Sequence, residues 1–237
     1  MLPATRVVNK HMIPVLNKPM VLYPLETLKA LGIKDILIVS GGNHIGDLAE
    51  FLGDGSEYGV SLTYRVQKEA GGIAEAIGLA ESFTMSQGVF VVLGDNFFES
   101  GPVEVEKMKM GMRLSPLCDD NKACVVIKKV LDPQRFGVPE FAGVEGEDWS
   151  TLRITKITEK PKKPKTNFAV TGLYYYPQEV FEVIKTLKPS DRGELEISDV
   201  NNYFIEHGGL NHVEFQGFWS DMGTPESMLA TIKHLHG

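Results

Sequence analysis

Cysteine is scarce in this chain. Among its 237 residues there are two cysteines, Cys118 and Cys124. Their spacing fits no zinc-binding pattern, and a chain of this length does not need a disulfide framework to fold. We therefore interpret both residues as free thiols in a reducing cytosol.

The chain also lacks an apolar run of the length needed to cross a bilayer. Near its start, Arg6, Lys10 and His11 interrupt the apolar residues, which argues against a signal-peptide core. The sequence therefore predicts a cytoplasmic protein without a membrane partner.

Positive charge is in short supply as well. The 24 Lys and Arg residues are outnumbered by 31 Asp and Glu residues, which gives a net charge of -7. Because a phosphate backbone requires clustered cations, we do not expect a nucleic-acid partner. A single nucleotide could still bind, since a few local cations suffice. The sequence has no apparent Ser-His-Asp or Cys-His order, so we expect no covalent nucleophile.

The order of apolar segments predicts the α/β class. Strand-like and helix-like segments alternate in the first half, which indicates a Rossmann-like, mostly parallel sheet with helices on both faces. The second half is less regular and predicts an inserted mixed-sheet portion within a single domain, residues 1–237. The predicted strands are 33–40, 60–66, 89–93, 123–130, 152–158, 168–176 and 213–219, and the predicted helices are 20–31, 45–52, 73–83, 178–187, 195–207 and 225–235.

The most informative motif is Leu93-Gly94-Asp95-Asn96, which ends an apolar run typical of a buried parallel strand. Open α/β sheets bind ligands at the carboxyl ends of their strands, so Asp95 is a candidate for metal or phosphate chemistry. The same four residues are also ordinary turn composition, and both interpretations stay open.

Asp221 is a second carboxylate at a predicted strand end. It precedes Gly223 and Thr224, and Thr224 is a candidate N-cap for the last helix. A capped turn is the plain alternative. Magnesium is typically held by one or two carboxylates together with substrate phosphates, so Asp95 and Asp221 form a candidate magnesium site.

Three weaker motifs could surround a ligand. Gln67 and Gly72 lie between a strand and a helix, where glycine allows close backbone approach to a flat ligand. Glu159 could accept hydrogen bonds from sugar hydroxyls, and Lys160 could neutralise a phosphate. Gly172 lies inside a good strand, where glycine marks a bulge or a nearby ligand. Taken singly, a plain loop, a solvated ion pair and an empty bulge explain these motifs better.

As an ordered set, the motifs resemble those of the sugar-1-phosphate nucleotidyltransferases. The resemblance runs from Leu2 to the final helix and is specific only as a set. Its members are Lys10 with Pro14, Asn17-Lys18-Pro19-Met20, Gly53-Asp54-Gly55, Gln67 with Gly72, Leu93-Gly94-Asp95-Asn96, Phe136-Gly137-Val138, Glu159-Lys160-Pro161, Val170-Thr171-Gly172-Leu173-Tyr174, Arg192-Gly193-Glu194-Leu195-Glu196-Ile197 and Asp221-Met222-Gly223-Thr224.

The resemblance implies a role for each matching residue. Lys10 and Lys160 would contact phosphates, Asp95 and Asp221 would hold Mg²⁺, and these four would be the catalytic residues. The remaining site residues divide into a nucleotide-binding pair, Gln67 and Gly72, and a sugar-binding set in the inserted mixed-sheet portion, Gly137, Glu159, Val170 and Gly172. The partners would be a nucleoside triphosphate and a sugar 1-phosphate, with dTTP and glucose 1-phosphate favoured and UTP the competitor. Relatives are commonly homo-oligomers.

The chain departs from the family pattern at its start. The family begins with an apolar strand and a glycine-rich loop ending in Gly-Thr-Arg, just before the segment that matches Leu2 and Pro3. Such a loop would cradle the triphosphate through backbone amides. Because the downstream motifs are kept, we expect a lost start rather than a protein that cannot catalyse. Phe136 also replaces the usual tyrosine, and an early stop leaves the C-terminal regulatory site of longer members in question.

Two other hypotheses keep the same fold class. A non-catalytic homologue or fragment could bind nucleotide sugars without turning them over, and the missing loop is the feature that favours it. A nucleotide-sugar glycosyltransferase also uses an α/β sheet and a divalent cation. Those enzymes usually place Asp-x-Asp at the strand end, and Gly94-Asp95-Asn96 lacks the first aspartate.

Overall fold

The computed structural model describes residues 9–99, 106, 109, 121–143 and 152–237. The predicted free thiol Cys118 and the segment containing Leu2, Pro3 and Arg6 lie outside these residues. Cys124 is a buried free thiol. The described residues form two compact units: unit 1 consists of those within 1–68, 92–105 and 217–237, and unit 2 of those within 69–91 and 106–216. The single-domain organisation stays a prediction.

The described strands and helices alternate in much of the chain. The strands are β1 (Pro14–Val15), β2 (Lys18–Pro19), β3 (Asp35–Gly41), β4 (Ser61–Gln67), β5 (Val89–Val92), β6 (Phe97–Phe98), β7 (Ala123–Lys129), β8 (Gly137–Phe141), β9 (Ile154–Glu159), β10 (Phe168–Tyr176), β11 (Leu210–Glu214) and β12 (Trp219–Ser220). The helices are α1 (Leu22–Ala30), α2 (Ile45–Leu52), α3 (Ile73–Gly78), α4 (Val180–Thr186), α5 (Ile197–Glu206) and α6 (Pro225–His236).

Unit 1 contains a parallel strand pair and a small apolar core. β3 and β4 pair in parallel from Asp35 opposite Ser61 to Gly41 opposite Gln67. β6 and β12 form a short antiparallel ribbon, with Phe97 opposite Ser220 and Phe98 opposite Trp219. The core consists of Val15, Met20, Tyr23, Phe97 and Met222, and residues of α6 pack against it. Each side chain of this size that is removed from water contributes about 1.5–3 kcal/mol.

Unit 2 is built around a four-stranded mixed sheet in the order β11, β7, β10, β5. β11 runs parallel to β7, whereas β10 runs antiparallel to it. Residues 123–127 of β7 are fully buried, which explains why this strand is a continuous apolar run rather than an alternating one. Val180 and Phe181 of α4 and Val200 and Phe204 of α5 are also buried.

The sequence prediction of the fold class is confirmed. The structure has parallel and mixed strands with helices, and the bounds predicted for α2 and β10 agree with those observed. The helix predicted over 73–83 is shorter, because α3 ends at Gly78 and continues as tight turns such as Ala80 N–H to Ile77 O at 2.8 Å. Glycine is a poor helix former, which accounts for this early end.

The single strand predicted over 213–219 is wrong. β11 pairs with β7 as far as Glu214, and β12 pairs with β6 from Trp219. The boundary between the two units falls between Gln216 and Gly217. The two observed strands pair with different partners, so the chain leaves the sheet between them.

No helix within the described ranges has the length and apolarity required to cross a membrane.

The final helix, α6, has a complete N-terminal cap. Thr224 Oγ1 accepts from Ser227 N at 3.1 Å, and Ser227 Oγ accepts from Thr224 N at 3.1 Å. We predict that Thr224→Ala lowers the free energy of unfolding by about 1 kcal/mol, because it leaves a first-turn N–H without its acceptor. Urea denaturation measures the change. Thr224→Ser retains the hydroxyl and is the control, so equal losses in both variants would contradict this role for the cap.

Candidate active site

Asp95 lies in a hydrogen-bonded turn directly after β5. Asn96 N donates to Leu93 O at 3.0 Å, which closes the turn. The Asp95 carboxylate accepts from Lys10 Nζ at 2.5 Å through Oδ2 and from Asn96 Nδ2 at 2.9 Å through Oδ1. The Asp95 side chain is 17% exposed and that of Lys10 is 36% exposed. The pair is therefore partly removed from water, and both carboxylate oxygens have fixed partners.

His11 packs beside this ion pair. It lies in a short 3₁₀ turn, Lys10–Met12, whose N-cap is the buried Asn9. Asn9 Oδ1 accepts from His11 N at 3.0 Å and lies 2.9 Å from His11 Nδ1. Because one atom accepts the backbone N–H, it is the carbonyl oxygen, so the ring donates to it through Nδ1. Burial lowers the pKa of His11 to about 4, with Lys10 adding to the effect and Asp95 opposing it.

The ring of His11 also explains Gly94. A Cβ atom at residue 94 would lie 3.0 Å from both Cδ2 and Nε2 of His11. Side chains larger than hydrogen would therefore require the imidazole to move by a few tenths of an ångström. Glycine at this position allows the turn that carries Asp95 to pass directly against the ring.

The strand pairing of unit 1 brings Asp221 to the same end of the ribbon as Asp95. Ser220 pairs with Phe97, so Asp221 follows one strand at the end where Asp95 precedes the other. Trp219 Nε1 donates to Asn96 Oδ1 at 2.8 Å and ties the two segments together. The two carboxylates, separated by more than a hundred residues in sequence, thus belong to one local structure.

The residue after Asp221 is held in an unfavourable backbone conformation. Met222 has φ 41° and is fully buried in the core of unit 1. Non-glycine residues at positive φ are uncommon and cost on the order of 1 kcal/mol or more. Packing of the Met222 side chain in the core therefore stabilises the strained backbone conformation next to Asp221.

The donor set of Asp95 and Asp221 suits a hard divalent cation. Within the described part of the chain there is no group of three or more His, Cys, Asp or Glu residues that could hold a metal ion. Mg²⁺ does not need one, because it usually retains waters and is bound by one or two carboxylates plus substrate phosphates. The two carboxylates fit that pattern, whereas a closed structural zinc site would require more ligands.

In unit 2, two of the predicted site residues, Gly137 and Lys160, lie next to Glu159. Gly137 of β8 is the register partner of Glu159 at the end of β9. Glu159 Oε2 accepts from Ser198 Oγ at 2.6 Å, and Glu159 Oε1 lies 3.7 Å from Lys160 Nζ. Lys160 has φ 42°, a second strained position next to a predicted site residue. Gly137, Glu159 and Lys160 therefore form one local group.

Val170 and Gly172 lie in the interior of β10. Both are buried, and the pairing of β10 with β7 shifts register between Val170 and Tyr174. The bulge that a strand glycine predicts is present. Thr171 Oγ1 donates to Val126 O at 2.8 Å within this irregular stretch.

The two residues predicted to read the base lie in different units. Gln67 is the last residue of β4 in unit 1, and Gly72 precedes α3 in unit 2. Gly72 has φ 95°, and a Cβ atom there would lie 2.5 Å from Leu195 O. Leu195 N also donates to Gly71 O at 2.8 Å. Glycine at residue 72 therefore allows the backbone of Leu195 to approach closely, in addition to any contact that residue 72 makes with a ligand.

Comparisons with known proteins agree with this architecture. The family model described as nucleotidyl transferase matches residues 1–236. A glucose-1-phosphate thymidylyltransferase of Neisseria meningitidis is 41% identical over 228 residues, which is 95% of this chain and 75% of that protein. The low-salt glycan biosynthesis nucleotidyltransferase Agl11 of Haloferax volcanii is 37% identical over 96% of this chain and 60% of its own length.

Solved structures give the same result. A chain from Bacillus anthracis, assigned as a glucose-1-phosphate thymidylyltransferase and solved with sucrose, superposes with a TM-score of 0.84 at 42% identity, covering 99% of this chain and 89% of its own. The UDP-glucose pyrophosphorylase of Acinetobacter baumannii shares the fold, with a TM-score of 0.79 at 20% identity over 98% and 87% of the two chains. The chain belongs to the nucleotidyl transferase family.

Sequence reasoning assigned no role to His11 and did not single out Ser198. In the structure, the first supports Gly94 and the second contacts Glu159. The Asn9-x-His11 spacing is a local signal for the first, since asparagine often binds the backbone two residues on. Ser198 carries no comparable signal, because its partner lies 39 residues away in sequence.

Contact between residue 94 and His11 leads to a prediction for Gly94→Ala. The added Cβ would require the imidazole to move by a few tenths of an ångström, so we expect a loss of about 1–2 kcal/mol in the free energy of unfolding. Urea denaturation measures it. Gly41→Ala is the matched control, since residue 41 is exposed, lies outside a helix, and a Cβ atom there meets nothing within 4 Å. Equal stability of the two variants would show that His11 does not restrict residue 94.

The lowered pKa of His11 leads to a prediction about acid sensitivity. Between its ordinary value of 6.5 and about 4, the unfolded chain binds a proton at residue 11 that the folded chain does not. The contribution of a neutral His11 to the free energy of unfolding is therefore fully present above about pH 6.5. It is lost progressively as the pH falls toward 4. We expect this residue alone to cost about 2 kcal/mol between pH 8 and pH 5.

Urea titrations of the wild type and His11→Gln at pH 8, 7, 6 and 5 separate this contribution from that of the carboxylates. The stability difference between the two proteins should change by the stated amount. Parallel pH curves would mean that His11 is protonated equally in the folded and unfolded states.

Proposed function

We propose that this protein transfers a thymidylyl group from dTTP to glucose 1-phosphate, forming dTDP-glucose and pyrophosphate. The observation that carries the proposal is the Lys10–Asp95 ion pair, set at the same end of the β6/β12 ribbon as Asp221. A lysine for the phosphates and carboxylates that hold Mg²⁺ are recurring parts of phosphoryl-transfer sites. The substrate assignment draws support from the relatives, which are named for glucose 1-phosphate and a thymidylyl group.

In unit 1, the proposed roles concern the triphosphate. Asp95 and Asp221 are the residues that would hold Mg²⁺. Bound there, the cation would polarise phosphoryl oxygens and offset the charge of the pyrophosphate. The Lys10 ammonium supplies a further positive charge for phosphate oxygens, and Asp95 holds it in place through the 2.5 Å contact. Gln67 would hydrogen-bond the pyrimidine base through its amide.

In unit 2, the proposed roles concern the sugar 1-phosphate and the base. The Glu159 carboxylate would accept hydrogen bonds from sugar hydroxyls, and Lys160, 52% exposed, would neutralise the sugar phosphate. Gly137, Val170 and Gly172 would leave room around the sugar ring. Gly72 would present backbone to the base.

The reaction needs no covalent enzyme intermediate. A phosphate oxygen of glucose 1-phosphate attacks the α-phosphorus of dTTP, the new P–O bond forms in line with the bond to the β-phosphate, and that bond breaks to release pyrophosphate. Such a step depends on positioning and charge neutralisation. In this proposal, the ammonium groups of Lys10 and Lys160 and the carboxylates of Asp95 and Asp221 supply these two functions, each within its own unit.

Homo-oligomeric assembly and a cytoplasmic location, expected from the sequence, stay predictions.

The proposal is tested by pyrophosphate release from dTTP and glucose 1-phosphate in the presence of Mg²⁺. Lys10→Gln should lower kcat/KM by about 10²–10³-fold, because it removes a preorganised charge from the reacting phosphates. The exposed Lys34→Gln is the matched control and should retain wild-type activity. Chelation of the divalent cation should abolish release.

The same assay distinguishes the competing hypotheses. A variant carrying the family's first strand and glycine-rich loop ahead of Met1 is measured in parallel. If neither protein releases pyrophosphate although both are folded and are stabilised thermally by nucleotide, the chain is a binding homologue and the transferase proposal is wrong.

A further inference from the structure

Helix α5 contacts strand β9 through two polar side chains that no role so far accounts for. Ser198 Oγ donates to Glu159 Oε2 at 2.6 Å. One turn further along α5, the Asn202 side chain bonds both backbone groups of Ile157: Oδ1 accepts from Ile157 N at 2.8 Å, and Nδ2 donates to Ile157 O at 2.8 Å. The helix therefore holds the strand at two successive points on one face.

The spacing of these contacts is geometrically matched. Residues four apart in a helix are separated by about 6 Å along its axis, and residues two apart in a strand by about 6.6 Å. Ser198 and Asn202 on the helix can thus reach Glu159 and Ile157 on the strand without distortion of either element. Asn202 bonds the backbone N–H and C=O of Ile157 as a neighbouring strand would. These two bonds fix the position of β9 along α5.

The hydrogen bond from Ser198 sets the orientation of the Glu159 carboxylate. A Cβ atom at Gly137 would lie 3.2 Å from Ile157 Cγ2, the residue that Asn202 holds, and in ordinary contact with Glu159 Oε2 and Ser198 Oγ at 3.4 and 3.5 Å. Ser198 itself is 4% exposed, and its hydroxyl does not cap its own helix. Its position in the first turn of α5 also places the positive end of the helix dipole near the carboxylate.

We propose that Ser198 and Asn202 are positioning residues that set the Glu159 carboxylate for the sugar of the sugar 1-phosphate. This inference rests on the proposed function, because the sugar role of Glu159 belongs to it. Ser198 fixes one carboxylate oxygen, Asn202 fixes the strand that carries the residue, and the second oxygen remains available to a sugar hydroxyl or to Lys160.

The test is the steady-state kinetics of Ser198→Ala. We expect KM for glucose 1-phosphate to rise about tenfold, the effect of one lost hydrogen bond to a charged group, while KM for dTTP and kcat change by about twofold or less. Ser198→Thr keeps the hydroxyl and should restore KM. Thr186→Ala removes a hydroxyl that donates to Val183 O elsewhere in unit 2, and is the matched control.

A double-mutant cycle shows whether Ser198 acts through Glu159. In the Glu159→Gln background, Ser198→Ala should add about twofold or less to KM, since contacting residues are non-additive. An undiminished tenfold effect in that background, or an unchanged KM in Ser198→Ala itself, would overturn the positioning role. Melting temperatures of all variants distinguish a local effect from loss of folding.

The outcome of the proposed function is judged separately, from turnover by the wild type. If the wild type does not turn over, thermal stabilisation by glucose 1-phosphate replaces KM as the measurement. A smaller shift in Ser198→Ala than in Thr186→Ala then supports the positioning role without transferase activity, and no shift in any variant overturns both proposals.

Discussion

The partly buried ion pair between Asp95 and Lys10 is the interaction on which the candidate site of unit 1 depends. The Asp95 side chain retains 17% of its exposure, and an uncompensated charge in such a place costs several kcal/mol. Lys10 supplies the compensating charge. Its turn is capped by Asn9, and the neutral ring of His11 fills the space between that turn and Gly94. The residues around Asp95 thus follow from one electrostatic requirement.

Backbone strain accompanies two of the proposed site carboxylates. Met222 and Lys160 have positive φ, and each is adjacent to a carboxylate proposed to contact substrate or metal. Strain of this kind persists only when surrounding packing determines the conformation. Met222 is anchored by the apolar core of unit 1, whereas the Lys160 backbone is held by its N–H, which donates to Phe136 O at 3.0 Å. Apolar packing therefore stabilises the strained backbone next to Asp221, whereas a backbone hydrogen bond stabilises the strained backbone next to Glu159.

Sequence patterns predicted the helices and strands whose conformation is determined by the residues within them. The β10 strand was predictable because its aromatic and β-branched residues have one consistent preference, and α2 because its apolar spacing ends at Gly53. The 213–219 strand was mispredicted because its two halves pair with different strands, and alternation along a chain contains no information about partners. The two-residue strands β6 and β12 exist only through their mutual pairing.

For the candidate site, sequence reasoning supplied residue types and could not supply their neighbours. Asp95 was noticeable because it follows an apolar strand. That Lys10, 85 residues away, would pair with it was not predicted, because the resemblance gave each residue a role without a contact between them. Ser198 was not predictable at all, because a serine near a helix start has a sufficient local explanation as a cap. Its actual partner is determined by how α5 packs on β9.

The glycines of the motifs show why such residues recur at fixed places relative to the chemical groups. Gly94 makes room for the His11 ring, Gly72 for the backbone of Leu195, and Gly137 for the side chain of Ile157. In each case the absence of a side chain allows close contact with a residue that is distant in sequence. That contact holds in place a motif with a proposed substrate role. A ligand contact is therefore not required to explain why these positions are glycine, and each glycine couples a motif to a supporting element. It follows that substitutions at these positions should act on the site through the supporting residue, even where the substrate itself never touches the glycine.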